Sequence, residues 1–270
     1  MRTPTPQPRP PPRLLEVKRV SPITPRMVRV TFVGPTLAEV PTPGAATHIK
    51  LFLPEEGQTV PLLPELGPEG LTWPEGPRPT VRTYTPRAFR KNGDAPELDV
   101  DFFLHDEGPA ARWAANAQPG DAAGMAGPSP SAYAIDPEAR AFVLAGDESA
   151  IPALQTILER LPKGVRAEVL VEVADRSDEV AMDSEADTRV TWLHRGHAPG
   201  KEGALLAEAL RTLELSPEAR YWVACEAAQV RAIRRTLLGE QGVSPQALVT
   251  RGYWKQATPN HPDHDYGTDA

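Results

Sequence analysis

The chain of 270 residues has room for two domains of ordinary size, each with its own hydrophobic core. Its hydrophobic fraction of 40% and charged fraction of 24% are typical of a globular protein in water, and no apolar run is long enough to cross a bilayer. The net charge of −7 argues against a nucleic-acid partner, and the lone cysteine, Cys225, excludes an internal disulfide and a cysteine metal cluster.

Residues 1–12 form a proline-rich segment that has six prolines and no apolar stretch like that of a secretory signal. We expect an extended, disordered tail here. Together with the lone cysteine, this start predicts a cytoplasmic protein, because a reducing compartment keeps thiols free. We expect a monomer without membrane insertion.

Residues 13–135 contain short runs of β-forming residues, separated by stretches rich in glycine and proline. Four of these runs are predicted strands: 14–20, 27–33, 48–53 and 98–104. In the last run Leu98, Val100 and Phe102 share one face, while two aspartates share the other. Many short strands of this kind favour a barrel or a sandwich.

Residues 136–256 show a different pattern, in which short apolar strands alternate with helices. The predicted strands are 141–145, 165–173, 190–194, 221–225 and 247–250, and the predicted helices are 151–161, 204–213 and 227–240. This alternation predicts a parallel sheet with helices on both faces, which binds ligands at the carboxyl ends of its strands. Residues 257–270 are predicted to be a C-terminal tail.

The segment 82–87, Arg-Thr-Tyr-Thr-Pro-Arg, carries the strongest chemical signal. It places two guanidinium groups, a phenol ring and two hydroxyl groups within six residues. In an extended strand, Arg82 and Tyr84 project to the same face. An arginine for the pyrophosphate, an aromatic ring and a hydroxyl group are what a flavin dinucleotide requires. From these residues alone, a surface strand with solvated arginines is an equal alternative.

A second segment, from His105 to Trp113, follows a predicted strand and opens a predicted helix. Gly108 and the free amide groups at the start of this helix form a second candidate phosphate cradle. The two segments together favour the dinucleotide interpretation over the solvated strand.

Seven segments, in this order, resemble the siderophore-interacting proteins, which are flavin-dependent ferric-siderophore reductases of the ferredoxin–NADP reductase superfamily. They are residues 48–54, 79–87, 100–105, 108–114, 144–153, 222–227 and 251–255. The resemblance implies a two-domain protein, with an N-terminal antiparallel β-barrel that binds FAD and a C-terminal α/β domain that binds NAD(P). It implies an NAD(P)H-dependent flavoprotein that reduces Fe(III) in siderophore chelates and releases Fe(II).

The resemblance also assigns roles to residues. It implies cofactor contacts from Arg82, Tyr84, Thr85, His105, Pro109, Ala110, Trp113, Asp147, Glu148, Ser149, Tyr253 and Trp254. The first three would hold the flavin, the next four would surround the pyrophosphate and adenine, and the following three would lie at the flavin–nicotinamide junction. The last two would close over the cofactor. The electron donor is NADH or NADPH.

The ferric chelate is anionic, and the resemblance implies that basic residues bind it. The candidates are Lys50, Lys255 and Arg112. Residues 1–135 have no net charge and residues 136–270 carry the whole −7, so binding has to depend on a local basic cluster. No metal ligands are expected, because the iron arrives already chelated.

Three positions depart from the family pattern. Ala111 stands in place of a serine, which removes one hydroxyl contact to the pyrophosphate. Ser149 stands in place of a threonine and keeps the hydroxyl group. Cys225 stands where a glycine is expected before Glu226. A lone cysteine at such a strand end is more often a small buried hydrophobe than a redox group.

Two further sets of polar residues have competing interpretations. Glu172 and Asp175, at the end of a predicted strand, are placed to accept hydrogen bonds from an NADH ribose, which predicts a weak preference for NADH. A solvated strand end is the alternative, and the neighbouring Arg176 favours neither. The histidine pairs 194/197 and 261/264 have no carboxylate pair in register, which disfavours a metal site.

Two other functions remain open from the sequence. One is a diaphorase that passes electrons to a protein such as a ferredoxin, although the acidic second half disfavours a basic docking face. The other is a non-catalytic, flavin-carrying module that binds siderophores but accepts no hydride.

Overall fold

The computed structural model of the chain describes residues 11–67, 70–91, 95–105, 108–197, 202–214, 216, 218–258 and 261. Most of the predicted N-terminal and C-terminal tails lies outside these residues, and so does His264. Within the described residues, no helix is long and apolar enough to span a membrane.

In the described part of the first half, seven strands form one antiparallel sheet and two more form a separate hairpin. The strands are β1 (Arg13–Thr24), β2 (Met27–Val33), β3 (Ile49–Leu53), β4 (Glu65–Gly67), β5 (Gly70–Thr72), β6 (Thr80–Tyr84), β7 (Pro86–Arg90), β8 (Glu97–Phe103) and β9 (Ala122–Ala126). The sheet order is β6-β3-β9-β1-β2-β8-β7, and β4 pairs with β5. The four predicted strands are confirmed as β1, β2, β3 and β8.

The two edges of this sheet meet at one residue. β6 and β7 are the ends of the strand order, yet only Thr85 separates them in the chain. The sheet therefore curls round until its edges come together, which gives a barrel with a seam at Thr85. Pro86 begins β7 and has no amide hydrogen to donate at this point.

Alternate residues of the strands fill the barrel. Leu98, Val100 and Phe102 of β8 are buried inside, as predicted, and pack with Ile49 and Leu51 of β3. Helix α1 (Pro109–Asn116) contributes its alanines to the same core. The barrel therefore has a continuous apolar interior.

The outward aspartates of β8 are paired rather than solvated. Asp101 accepts hydrogen bonds of 2.7 and 2.8 Å from Arg29 of β2. Asp99 accepts bonds of 2.7 and 2.8 Å from Arg90 of β7 and a bond of 2.7 Å from the Thr31 hydroxyl. Cross-strand pairs of opposite charge stabilise adjacent strands, so this outer face holds β2, β7 and β8 together.

The second half is a parallel sheet covered by helices. Its strands are β10 (Ala141–Asp147), β11 (Arg166–Val173), β12 (Asp187–His194), β13 (Arg220–Glu226) and β14 (Leu248–Trp254), in the order β12-β11-β10-β13-β14. Helix α2 (Ile151–Leu158) covers one face, while α3 (Ala204–Thr212) and α4 (Ala227–Arg235) cover the other. The predicted doubly covered parallel sheet is confirmed. The predicted helix 227–240 ends early, and one π-helical turn (Thr236–Glu240) follows it.

Polar contacts join the two halves around α2. The Arg87 Nε donates to Gln155 Oε1 at 2.7 Å, and the Ala46 amide donates to Thr156 Oγ1 at 3.0 Å. On another side, Arg26, in the turn between β1 and β2, forms a salt bridge with Asp178. These contacts fix the barrel against the carboxyl edge of the parallel sheet.

Candidate functional site

The segment predicted to hold a flavin lies on β6 and the seam. Arg82 pairs with Leu51 and Tyr84 with Ile49 across β3, so the two side chains do share a face. The Tyr84 ring packs on Phe102 at 4.4 Å between ring centroids, and burial raises its pKa. The phenol therefore stays neutral and serves as an aromatic surface.

The two arginines of this segment have different environments. Arg82 donates to the neighbouring Val81 carbonyl at 2.8 Å and, within the described residues, forms no salt bridge. Arg87 is bound to Gln155 and lies 2.6 Å from a Glu159 oxygen, so it belongs to the contact between the two halves. Arg82 is thus the guanidinium that remains available to a phosphate.

Helix α1 supplies a second group of donors. Its N-cap, Gly108, makes no side-chain cap bond, and Pro109 occupies the first turn. A Cβ atom at Gly108 would overlap with the imidazole ring of His105, so a larger residue here would displace that ring. Ala110 and Ala111 are buried, and they offer a ligand backbone amides only.

The predicted adenine-side residue Trp113 has an evident packing role. Its ring stacks on Phe32 at 6.2 Å and tilts against Phe102 at 5.9 Å. It anchors α1 to the barrel and so fixes the start of that helix. Any contact with a cofactor would come from the remaining exposed part of the ring.

These features suit a pyrophosphate-containing flavin. Arg82 provides a positive charge without a carboxylate partner in the described residues, and α1 provides uncapped amides beside Gly108. Tyr84 provides an aromatic surface, and Thr85 lies at the seam between the barrel edges. The donor set therefore matches the anionic and aromatic parts of FAD.

At the carboxyl edge of the parallel sheet, Asp147 ends β10 and is 1% exposed. Its Oδ1 accepts hydrogen bonds from the Ser149 amide at 3.0 Å and the Ser149 hydroxyl at 2.5 Å. Its Oδ2 accepts a bond of 2.8 Å from the Trp254 indole nitrogen. The structure thus brings together three residues to which the resemblance assigned cofactor contacts.

Glu148, predicted to contact the cofactor, is used inside the protein instead. It is 4% exposed, and its carboxylate accepts bonds of 2.6 and 3.0 Å from Arg195 and 3.1 Å from the Ala174 amide. Both oxygens are occupied by the protein itself, and the predicted contact of Glu148 with a cofactor stays a prediction. Glu148 fixes the loops that follow β11 and β12.

Glu172, which was predicted to accept a hydrogen bond from an NADH ribose, is also used inside the protein. It is fully buried, and its oxygens accept bonds from the Gly203 amide at 2.6 Å and the Leu206 amide at 2.9 Å, which caps α3. Its carboxylate does not face a ribose. Glu172, one of the two acids from which a preference for NADH was predicted, therefore no longer supports that preference. The capping role was not visible in the sequence, because Gly203 lies 31 residues away.

Asp175, the other acid from which the NADH preference was predicted, contacts Arg26 of the barrel. Its carboxylate lies 3.3 Å from Arg26 and 2.9 Å from His197. His194 bonds Glu179 at 2.9 Å. Among the described residues, no three histidine, cysteine or acidic side chains cluster as a metal site.

Cys225 is fully buried, and burial raises the pKa of its thiol, so a thiolate is disfavoured. Tyr253 packs edge-on against buried Trp222, with ring centroids 6.1 Å apart. Its predicted partner in closing over the cofactor, Trp254, is half-buried, as Tyr253 is. Both therefore stay candidates for a contact with a ligand.

The three candidate basic residues lie on separate elements. The Lys50 ammonium donates to the Thr83 hydroxyl, so Lys50 lies directly beside the predicted flavin segment. Lys255 is exposed and follows Trp254, and Arg112 is exposed on α1. Thr83 was not singled out in the sequence, since its position opposite Lys50 depends on the pairing of β3 with β6.

The fold and the site together define a class, the ferredoxin-reductase-like flavoproteins. A ferredoxin NADP+ reductase from Neisseria gonorrhoeae, solved with bound FAD and NADP, has a TM-score of 0.62 at 17% identity, over 91% of this chain and 100% of that one. At this identity the likeness concerns the fold alone.

Comparison at higher identity defines the family. Residues 16–132 match the siderophore-interacting FAD-binding domain, and residues 139–257 match the siderophore-interacting protein family. The chain belongs to the siderophore-interacting proteins, as the sequence motifs predicted.

Relatives cover almost the whole chain. The ferric vibriobactin reductase of Vibrio cholerae serotype O1 is 33% identical over 94% of this chain and 93% of its own length. The NADPH-dependent ferric-chelate reductase of Escherichia coli K12 is 35% identical over 90% of this chain and 92% of its own. The crystal structure of a siderophore utilization protein from T. fusca has a TM-score of 0.84 at 38% identity, over 94% of this chain and 96% of that one.

Proposed function

We propose that this protein is an FAD-containing NAD(P)H:ferric-siderophore oxidoreductase, which reduces chelated Fe(III) and releases Fe(II). The observation that carries the proposal is the hydrogen bond between Arg87 and Gln155, at 2.7 Å. It joins the segment that suits a flavin to the helix that follows Asp147, Glu148 and Ser149. On this proposal, flavin and nicotinamide would bind next to each other beside this contact.

The relatives support the same activity. Two proteins that match along almost the whole chain are named a ferric vibriobactin reductase and an NADPH-dependent ferric-chelate reductase. NADPH is therefore a candidate donor beside NADH, and Glu172, buried under α3, gives no ground for preferring NADH.

FAD, when bound, supplies the conversion of a two-electron hydride donor into a one-electron reductant for iron. The Arg82 guanidinium and the first free amides of α1 would bind its pyrophosphate, with His105 and Pro109 beside them. Tyr84 would lie against the ring system. The Thr85 hydroxyl would hydrogen-bond the reactive edge of the flavin, at the seam. Trp254 would exclude water from the nicotinamide side.

The ferric chelate is the substrate. Lys50 beside Thr83 and Lys255 beside Trp254 would bind its negative charge near the flavin, and Arg112 would add to the local positive potential. Iron release follows from ligand preference, because hard oxygen ligands bind Fe(III) more tightly than Fe(II). The chain then needs no metal ligands of its own.

The proposal includes the division of the chain into an FAD-binding domain, residues 13–135, and an NAD(P)-binding domain, residues 136–256. The two matched families, which change over between residues 132 and 139, support it. It also includes a monomeric state and a cytoplasmic location, where the buried thiol of Cys225 would stay reduced.

The visible spectrum of the purified protein tests the proposal. We expect a yellow protein whose flavin absorbance is bleached by NADH or NADPH without oxygen and restored by an added ferric siderophore, with Fe(II) trapped by a chromogenic chelator. A colourless protein that cannot be reconstituted with FAD would contradict it. Flavin that NAD(P)H cannot bleach would favour a siderophore-binding module, and restoration by ferredoxin alone would favour a diaphorase.

A further inference from the structure

We propose that Asp147 is a positioning residue that holds the indole ring of Trp254 in one orientation at the nicotinamide side of the cleft. The inference rests on the proposed function, because it takes this cleft to be the place where the cofactors meet. It goes beyond that function by giving a motif residue a task other than contact with the cofactor.

The contact spans the end of the sheet. Asp147 ends β10 and Trp254 ends β14, with β13 between them. A register shift at the end of β13 pairs Cys225 with Gly252 and Glu226 with Trp254, so Tyr253 is left out of the ladder. The indole of Trp254 therefore extends across the carboxyl end of β13 to reach the Asp147 carboxylate at 2.8 Å.

The neighbouring strand provides an internal comparison. Asp175, after β11, caps a short 3-10 turn with the same Asp-x-Ser arrangement, accepting bonds of 2.7 and 2.6 Å from the amide and hydroxyl of Ser177. Asp147 makes the same two bonds to Ser149. Because one oxygen is sufficient for the turn, the Asp147 bond to Trp254 is additional to local folding.

The burial of the two partners agrees with a positioning role. Asp147 is 1% exposed, so it cannot present its carboxylate to a ligand, whereas Trp254 keeps part of its ring accessible. A fixed indole covers the cleft at a low entropy cost, since its rotamer is already chosen before a cofactor arrives. Asp147 therefore acts on the cofactor only through Trp254.

Matched substitutions separate the two partners. Asp147→Asn keeps an oxygen for the Ser149 amide but turns an NH2 group toward the indole N–H, so donor faces donor. Trp254→Phe keeps an aromatic ring without the donor. Asp175→Asn is the control, because it changes the same motif after β11, where the carboxylate contacts Arg26 and His197 instead of Trp254. Asp147→Ser, which keeps an N-cap oxygen, replaces Asp147→Asn if that variant does not fold.

The first readout is spectroscopic and independent of activity. The holoprotein is labelled with 5-fluorotryptophan, and the 19F signal of Trp254, one of five tryptophans, is assigned by its loss in Trp254→Phe. We expect Asp147→Asn to shift or broaden that signal, and Asp175→Asn to leave it unchanged. An unchanged Trp254 signal in Asp147→Asn would overturn the proposal.

The second readout is the dissociation constant of FAD, followed by the recovery of flavin fluorescence on dilution. We expect Asp147→Asn and Trp254→Phe each to raise it about threefold to tenfold, because the proposal puts the indole against the nicotinamide-facing side of the flavin. The double variant should match either single variant, because both remove one interaction. Additive effects would mean that Asp147 acts independently of Trp254, which refutes the positioning role.

The outcomes are separable from those of the proposed function. If the wild-type holoprotein reduces a ferric siderophore but the two substitutions are additive, only the positioning role fails. If the substitutions are coupled but the wild type reduces no ferric chelate, the positioning role stands and the assigned activity fails.

Discussion

Carboxylates on the outer face of the barrel and those buried at the carboxyl edge of the parallel sheet have opposite shifts in pKa. On the barrel, hydrogen bonds from Lys18, Arg19 and Arg90 lower the pKa of Glu97 to about 2. At the carboxyl edge of the parallel sheet, burial raises the pKa of three carboxyl groups despite the hydrogen bonds that these groups accept; the residues are Asp147, Glu148 and Glu172. The acid on the barrel is paired with basic side chains near the solvent, whereas these three are enclosed within the fold.

This difference predicts which half of the molecule binds the negative charges of the ligands. The second half carries the whole net charge of −7, yet the acids at its carboxyl edge are occupied by backbone amides, Arg195 and Trp254. In the barrel, the pairing of Arg29 and Arg90 with aspartates leaves Arg82 available. We therefore expect the barrel to bind the phosphates and the anionic chelate, and the second half to contribute shape and orientation.

The largest expected effect tests whether Glu148 is structural. Glu148→Ala removes the principal partner of Arg195, whose side chain is 8% exposed, and should lower the free energy of unfolding by about 3 kcal/mol. Urea denaturation measures this loss. The folded variant should bind FAD as the wild type does, within about twofold. A stable variant with weakened cofactor binding would restore Glu148 as a direct contact and break the comparison.

Arg82→Ala should weaken FAD binding and leave stability nearly unchanged, which is the reverse of the result expected for Glu148→Ala. It removes a charge-assisted phosphate contact of roughly 1.5–3 kcal/mol, so the dissociation constant of FAD should rise about tenfold to a hundredfold. Unfolding of the apoprotein should change little, because Arg82 bonds only a neighbouring carbonyl among the described residues. Arg29→Ala is the matched control: it breaks the pair with Asp101 and should affect stability instead. Equal FAD affinity in Arg82→Ala and wild type would refute the phosphate role.

We expect Lys50 and Lys255 to bind the negative charge of the substrate. The double substitution Lys50→Ala with Lys255→Ala should raise KM for an anionic ferric siderophore about tenfold, since partly exposed ion pairs contribute up to about 1 kcal/mol each. The wild-type KM should also rise with salt, and more steeply than that of the double variant. Bleaching of the flavin by NADH or NADPH should be unaffected. Loss of bleaching would show that these lysines are structural.

The smallest expected effect concerns pH. A carboxyl group whose pKa falls on folding stabilises the protein above its unfolded pKa, and that contribution is lost as the pH falls through the folded pKa. Glu97, with an ordinary value of 4.5 and a folded value of about 2, should stabilise the barrel above pH 4.5 and lose this contribution towards pH 2. Glu97→Gln should therefore destabilise the protein at pH 6 and flatten its acid dependence.

Denaturation at pH 6 and pH 3 measures that effect. Glu208→Gln, which breaks an exposed pair with Arg211 on α3, is the control and should change the profile less, because solvent screens both groups. If the stabilities of the two variants depended on pH in the same way, the low pKa of Glu97 would make no special contribution to the stability of the barrel.

The sequence predicted more of the fold than of the site. Period-2 and helical patterns identified the main strands and helices, since one-sided burial leaves its mark in local residue order. Strands β7 and β9 were among those missed, because proline, glycine and alanine weaken that pattern. The motifs identified the family, but partners such as Gln155 for Arg87 lie far along the chain and depend on tertiary packing.

Glu148 and Glu172 show the limit most clearly. Acidic residues at the carboxyl ends of parallel strands have the positions expected of ligand contacts, and no local pattern distinguishes these from helix caps. The distinction depends on which amide or arginine the later loops bring to them, here Arg195 and Gly203. Sequence reasoning therefore identified residues that the fold brings together, but it did not show which of their side chains the protein uses for its own contacts.

The seam at Thr85 constrains how the chain can vary in length. Arg87, two residues beyond it, is anchored to Gln155, so the spacing from β6 to the second half is set by three consecutive residues. Because side chains alternate along a strand, one inserted residue would turn Arg87 to the opposite face and detach it, whereas two would restore its direction but displace it. Homologues should therefore differ freely in length within residues 54–79 and hardly at all between Tyr84 and Arg87.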